Sequence, residues 1–131
     1  MKVEEYDAQI DKLKRKRLPE EIKRAVLELF ETKAHRIVVI NLRGVSDVTD
    51  FLIIGSGNSS RQNQAISDRI QRVLKKEYKS KAYGTEGEQT GEWILLDYVT
   101  FVIHVFIPEV REKYNLEKLW MDAKRINFYT D

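Results

Sequence analysis

The residues best placed for chemistry stand six in a row, Gly55-Ser56-Gly57-Asn58-Ser59-Ser60. They follow the apolar run Phe51-Leu52-Ile53-Ile54 and precede a polar segment of helical periodicity from about Arg61 to Lys79. A strand, a glycine-rich turn and a helix start can hold a phosphate on free backbone amides. Gly55, Ser56, Gly57 and Ser59 would form such an anion or nucleotide loop. The same residues also read as a tight turn in which Ser59, Ser60 or Asn58 caps the helix. For catalysis the loop is poorly equipped. It lacks the Gly-Lys-Ser/Thr ending of a Walker sequence, and transfer from a triphosphate needs paired carboxylates to hold metal ions. The run Trp93–Phe106 offers one carboxylate, Asp97, at a strand end.

No other constellation is stronger. His104 lies in the apolar run Phe101–Phe106, where a single histidine reads as a hydrogen-bonded core residue. Its one counterpart, His35, stands far upstream beside a strand start. Neither has metal-ligand spacing, and no His-plus-nucleophile spacing identifies a triad. The chain has no cysteine, which excludes a disulfide framework and thiolate chemistry. No catalytic residue, metal ligand or cofactor is assigned.

The elements that must position these residues follow from periodicity. Pro19 opens a helix with Glu20 and Glu21 in its first turn, and Ile22, Val26, Leu29 and Phe30 share one stripe. Glu28, Glu31 and Lys33 fall elsewhere on that cylinder. Ile37–Leu42 and Phe51–Ile54 read as strands, and Ala65, Ile66, Ile70, Val73 and Leu74 give the next helix its apolar face. Arg61, Arg69 and Arg72 are expected toward solvent. A short strand at Lys81–Tyr83 leads to a hairpin of Trp93–Leu96 and Phe101–Phe106 turned at Asp97–Thr100. Phe101–Phe106 is apolar on both alternation phases and so is expected to be central. Alternation puts Trp93, Leu95 and Asp97 on one face and Ile94, Leu96 and Tyr98 on the other. Pro108 opens a final helix, with Leu116, Leu119 and Trp120 on a stripe that can cover the sheet. The expected fold is α+β, a single-domain layer of helices on a mixed sheet of about five strands.

Composition bounds the function. With 131 residues, 42% hydrophobic and 34% charged, the chain suits one soluble globular domain. A net charge of +2 gives no global field for sequence-independent nucleic-acid binding. Residues 1–17 form a charged extension ending in Lys12-Leu13-Lys14-Arg15-Lys16-Arg17. That run is either a handle for RNA phosphates or a solvated segment, or a short helix with Tyr6, Ile10 and Leu13 on one side. No apolar run approaches the ~20 residues of a membrane span. The acidic start Met1-Lys2-Val3-Glu4-Glu5-Tyr6 is unlike a signal peptide, so a cytoplasmic location is expected.

Three stretches together carry a family resemblance. They are Asp50-Phe51-Leu52-Ile53-Ile54-Gly55-Ser56-Gly57-Asn58-Ser59-Ser60-Arg61-Gln62, the hairpin region from Gly84-Thr85-Glu86-Gly87 through Trp93-Ile94-Leu95-Leu96-Asp97-Tyr98 to Val102-Ile103-His104-Val105-Phe106, and Leu119-Trp120-Met121-Asp122-Ala123. Their order and spacing resemble the ribosomal silencing factor family (RsfS, also called Iojap), over residues 18–126, with 127–131 as a tail. The resemblance implies a nucleotidyltransferase-like topology without that fold's catalytic carboxylates. It implies a non-enzymatic translational repressor that binds the large ribosomal subunit at ribosomal protein L fourteen and blocks joining of the small subunit. By the same resemblance Trp93, Leu95, Asp97 and Tyr98 are the partner-binding residues. The competing reading is a nucleotide-binding or nucleotidyltransferase-like enzyme using Gly55–Ser60. Exposed apolar surface is compatible with a monomer or a homodimer. Relatives often have Gly-Asp after the tyrosine, where this chain has Val99-Thr100. The hairpin loop is therefore expected to differ in shape, and an acidic contact at that turn has no counterpart in Thr100.

Overall fold

Every residue of Phe51–Ser56 is buried, because this strand sits between neighbours and under helices on one side and a second apolar layer on the other. The computed structural model describes residues 2–129. In chain order it comprises α1 (Val3–Arg15), α2 (Glu20–Glu31), β1 (His35–Asn41), β2 (Phe51–Ser56) and α3 (Ser60–Tyr78). Then come β3 (Gly84–Glu86), β4 (Trp93–Asp97), β5 (Phe101–Phe106), α4 (Pro108–Tyr114), α5 (Leu116–Leu119) and β6 (Lys124–Asn127). The six strands form one mixed sheet in the order β3-β4-β5-β2-β1-β6. β2 and β5 run parallel, with Phe51 opposite Phe101, and the other neighbours are antiparallel.

The two sheet faces are covered unequally. On one, Ile22, Val26, Leu29 and Phe30 of α2 and Ile66, Ile70 and Leu74 of α3 close over Val39, Ile53, Ile94, Leu96, Ile103 and Val105. On the other, Val38, Ile40, Leu52, Ile54 and Phe106 are covered by Val110 of α4, Leu116 of α5, and Trp120 and Ala123 in the turn that follows. Leu95 and Val102 stay half-exposed there.

Several expectations need correction. The C-terminal helix is not continuous: Asn115 adopts a left-handed conformation (φ 45°, ψ 60°) that ends α4, and its side chain accepts from Lys118 N to start α5. A sixth strand follows, β6, paired antiparallel with β1 from Val38↔Asn127 to Asn41↔Lys124. The tail beyond residue 126 is therefore structural. Asn127 is in the ladder and Phe128 is 1% exposed, meeting Phe30 edge-on at 6.2 Å, while Thr130 and Asp131 lie outside the described residues.

Lys81–Tyr83 is not a strand. Tyr83 N does donate to Asp97 O at 2.7 Å, but the ladder proper begins at Gly84. The charged N-terminal segment takes the helical form among its expected alternatives, as α1 docked by its apolar side: Leu13 is buried and Tyr6 meets Phe30 edge-on at 5.8 Å. Lys12 Nζ donates to Asn127 O at 2.7 Å, tying α1 to β6. Glu28, placed off the apolar stripe by sequence, is buried. Arg24 Nε at 3.1 Å and Arg69 Nε at 2.8 Å donate to its carboxylate, and a buried charge needs such partners. Arg69 thus bridges α3 to α2 rather than pointing only into solvent.

Candidate functional site

The glycine-serine segment folds as a junction. Gly55 and Ser56 are the last residues of β2 rather than loop residues. A Cβ at Gly55 would stand 3.3 Å from Leu29 Cδ2, so glycine lets α2 approach. Ser56 Oγ accepts from the buried Arg111 Nη1 at 2.8 Å. Gly57 N donates to Phe106 O at 3.0 Å, and Asn58 N donates to Gln62 Oε1 at 2.8 Å. Ser59 Oγ accepts from Gln62 N at 3.0 Å, the capping role open to it from sequence. Gly57 N and Asn58 N are thus engaged within the chain, Gly55 and Ser56 belong to the ladder of β2, and Ser59 gives its hydroxyl to the helix cap.

Gly57 has its own steric reason. A Cβ there would fall 2.1 Å from Asn63 Oδ1, and Asn63 is fully buried with its Nδ2 donating to Gly91 O at 2.8 Å. The amide cannot move aside without losing that bond. Gly57→Ala is expected to cost about 2 kcal/mol in urea-melt stability, as overpacking typically does. An unchanged midpoint would show that Asn63 repacks freely.

The hairpin arranges its residues as alternation demands. Ile94, Leu96 and Tyr98 point into the core under α3, and Trp93, Leu95 and Asp97 point to the thinly covered face. Trp93 is half-buried. Its ring stacks on Phe106 at 4.9 Å and leans on Tyr114 at 4.8 Å. Its Nε1 donates to His104 Nδ1 at 2.9 Å, so the neutral imidazole accepts there. Leu95 lies beside it, in register with His104, and Asp97 beside Val102. Asp97 Oδ1 accepts from Val99 N at 2.8 Å.

Tyr98 does not join this group. It is 8% exposed on the opposite face, stacked on Phe101 at 4.9 Å, and burial pushes its hydroxyl up to about 12. Two residues that sequence reasoning did not assign to the surface do join it: Val102, half-exposed between Asp97 and Leu52, and Tyr114, exposed at the end of α4. The available signal was the alternation of Val102 with His104, once the hairpin register is fixed. The result is an apolar strip, Tyr114–Trp93–Leu95–Val102, with a carboxylate at one end.

The family described as "Ribosomal silencing factor during starvation" matches residues 15–131. A protein of Halalkalibacterium halodurans named ribosomal silencing factor RsfS is 38% identical over 102 residues, covering 78% of this chain and 86% of that one. A crystal structure of a Chromobacterium violaceum protein superposes with a TM-score of 0.76 at 32% identity, covering 81% of this chain and 88% of that one. The chain belongs to the ribosomal silencing factor family. A further relative, the mouse protein named "Mitochondrial assembly of ribosomal large subunit protein 1", is 36% identical over 94 residues, which span 70% of this chain and 41% of that protein.

In this silencing-factor domain His104 is a structural group with a pH signature. Burial lowers its pKa from 6.5 to about 4. The unfolded chain takes up the proton near pH 6.5, whereas the folded chain resists it until near pH 4. Its contribution is therefore complete above pH 6.5 and is lost as pH falls from 6.5 to 4, by about 3 kcal/mol. Urea midpoints measured from pH 7 to pH 4 should show this decline. In His104→Gln, whose side-chain oxygen can still accept from Trp93, the slope should flatten; an identical slope would assign the pH dependence to other groups.

Proposed function

We propose that this chain is a non-enzymatic translational repressor that docks on the large ribosomal subunit and blocks joining of the small subunit by excluded volume. The observation that carries this reading is the strip Tyr114–Trp93–Leu95–Val102, left half-open because α4 and α5 are too short to cover it. It belongs to a chain matching the silencing-factor family over residues 15–131. Half-buried aromatics are favoured anchors for a protein partner, since they bury much area at small entropy cost. Trp93 is also held in place before binding by its bond to His104, which lowers the ordering cost of association.

The partner in this reading is ribosomal protein L fourteen, met through Trp93, Leu95 and Asp97. Excluded volume needs affinity and position but no catalytic group, and the glycine-serine segment is engaged structurally through Gly57 N, Asn58 N and Ser59 Oγ. A secondary contact to ribosomal RNA falls to Lys14, Arg15, Lys16 and Arg17, which are exposed at the end of α1. Lys12 is occupied with Asn127 O. Calorimetric titration with isolated ribosomal protein L fourteen tests the partner. Saturable one-to-one binding is expected. Binding to large subunits without binding to the isolated protein would move the site elsewhere on the subunit.

A further inference from the structure

Val99 holds a backbone conformation that its side chain resists. At φ +72° it lies in the left-handed region, where a β-branched side chain crowds the backbone and glycine does not. Burial does not compensate, because Val99 is 56% exposed. The turn enforces the angle: Asp97 Oδ1 accepts from Val99 N at 2.8 Å, and Tyr98 N donates to Phe101 O at 2.9 Å. Strain of this kind clusters where a residue is used rather than where it is merely accommodated.

Val99 also has company. Because β2 and β5 run parallel with Phe51 opposite Phe101, the loop entering β2 and the turn entering β5 lie at the same end of the sheet. Asp50 N and Phe51 N both donate to Thr100 O, at 3.0 and 3.2 Å. That loop exposes Val45 (52%) and Val48 (85%). Across β4, Tyr83 N bonds Asp97 O at 2.7 Å, and Tyr83 is 82% exposed. One end of the sheet therefore gathers four of the eight large hydrophobic residues exposed among the described residues. Scattered single exposures are ordinary, but a cluster at one edge marks an interaction surface.

We infer that this sheet end, led by Val99, continues the Trp93–Leu95–Asp97 surface and contacts the same ribosomal-protein partner, with Val99 setting specificity at the hairpin tip. The inference rests on the docking proposed above. Asp97 joins the two regions, since it lies on the docking face while its Oδ1 holds the Val99 amide. Apolar side chains offer nothing to a phosphate backbone, so a protein surface is the fitting occupant.

Two substitutions separate the side chain from the strain. Val99→Thr keeps the branched shape and replaces one methyl with a hydroxyl, while Val99→Gly removes both side chain and strain. Each is compared with the wild-type chain for melting temperature and for affinity to purified large subunits. Val99→Thr is expected to melt as wild type and bind about fivefold more weakly. Val99→Gly is expected to melt roughly 2–8 °C higher and bind more weakly still. Wild-type affinity in both variants overturns the inference and leaves docking through Leu95 standing. Failure of the wild-type chain itself to bind overturns both.

Discussion

Leu95→Glu is expected to weaken binding to purified large ribosomal subunits by at least about 100-fold, with the fold intact. Leu95 is half-exposed on β4, between Trp93 and Asp97 and in register with His104. Its side chain makes none of the buried contacts of Ile94 or Leu96, so a carboxylate there meets solvent in the free protein. In the complex the same carboxylate would be buried against an apolar partner without a hydrogen bond. That desolvation costs about 2–3 kcal/mol or more, which is about 100-fold in affinity. Trp93→Ala should also lose at least about 2 kcal/mol of binding, as truncated hot-spot aromatics do. It is the less clean probe, because Trp93 stacks on Phe106 and satisfies His104. A Leu95→Glu protein with wild-type melting and wild-type affinity would remove the β4 face from the interface.

Phe128→Ala is expected to be the most destabilising single truncation in the C-terminal segment, at about 3–5 kcal/mol. The ring is 1% exposed, sits edge-on to Phe30 and lies under Lys12 Nζ at 5.7 Å from its centroid. Phe128 N also donates to Ile37 O at 2.8 Å, continuing the β6 ladder. Ending the chain after Ile126 should therefore cost more than Phe128→Ala, since it removes the ring, that bond and the Lys12–Asn127 tie together. Urea midpoints of the two variants against wild type give the answer. A loss below about 1 kcal/mol would make the segment a dispensable tail.

That contrast shows where sequence was legible. α2, α3, β1, β2 and the β4–β5 hairpin were readable because their apolar residues recur at 3.6 or 2, or run continuously for a strand under cover on both faces. β6 was not, because Lys124-Arg125-Ile126-Asn127 has one apolar side chain; an edge strand is held by backbone bonds to β1 and protected by charge rather than by pattern. The break at Asn115 was equally silent. An asparagine in the left-handed conformation divides one amphipathic stripe into α4 and α5, and that division leaves the docking strip uncovered.

The candidate site was legible in the same partial way. Alternation alone placed Trp93, Leu95 and Asp97 together and Tyr98 opposite them. Tyr98 entered the partner-binding set only through resemblance, and its burial against Phe101 removes it. Which hairpin face is open depends on the lengths of α3 and α4, a tertiary fact. The glycine-serine run folds as a strand end and helix cap for a local reason. β2 extends two residues further than its apolar run, and Gln62 folds back onto Asn58 N.

The most direct test of the account is sedimentation of purified large subunits with the protein, followed by addition of small subunits. The expected result is that the protein travels with the large subunit and that whole-ribosome formation falls as its concentration rises, with Leu95→Glu inactive in both respects. Protein remaining at the top of the gradient across low and moderate salt, or bound protein that leaves subunit joining unchanged, would contradict it.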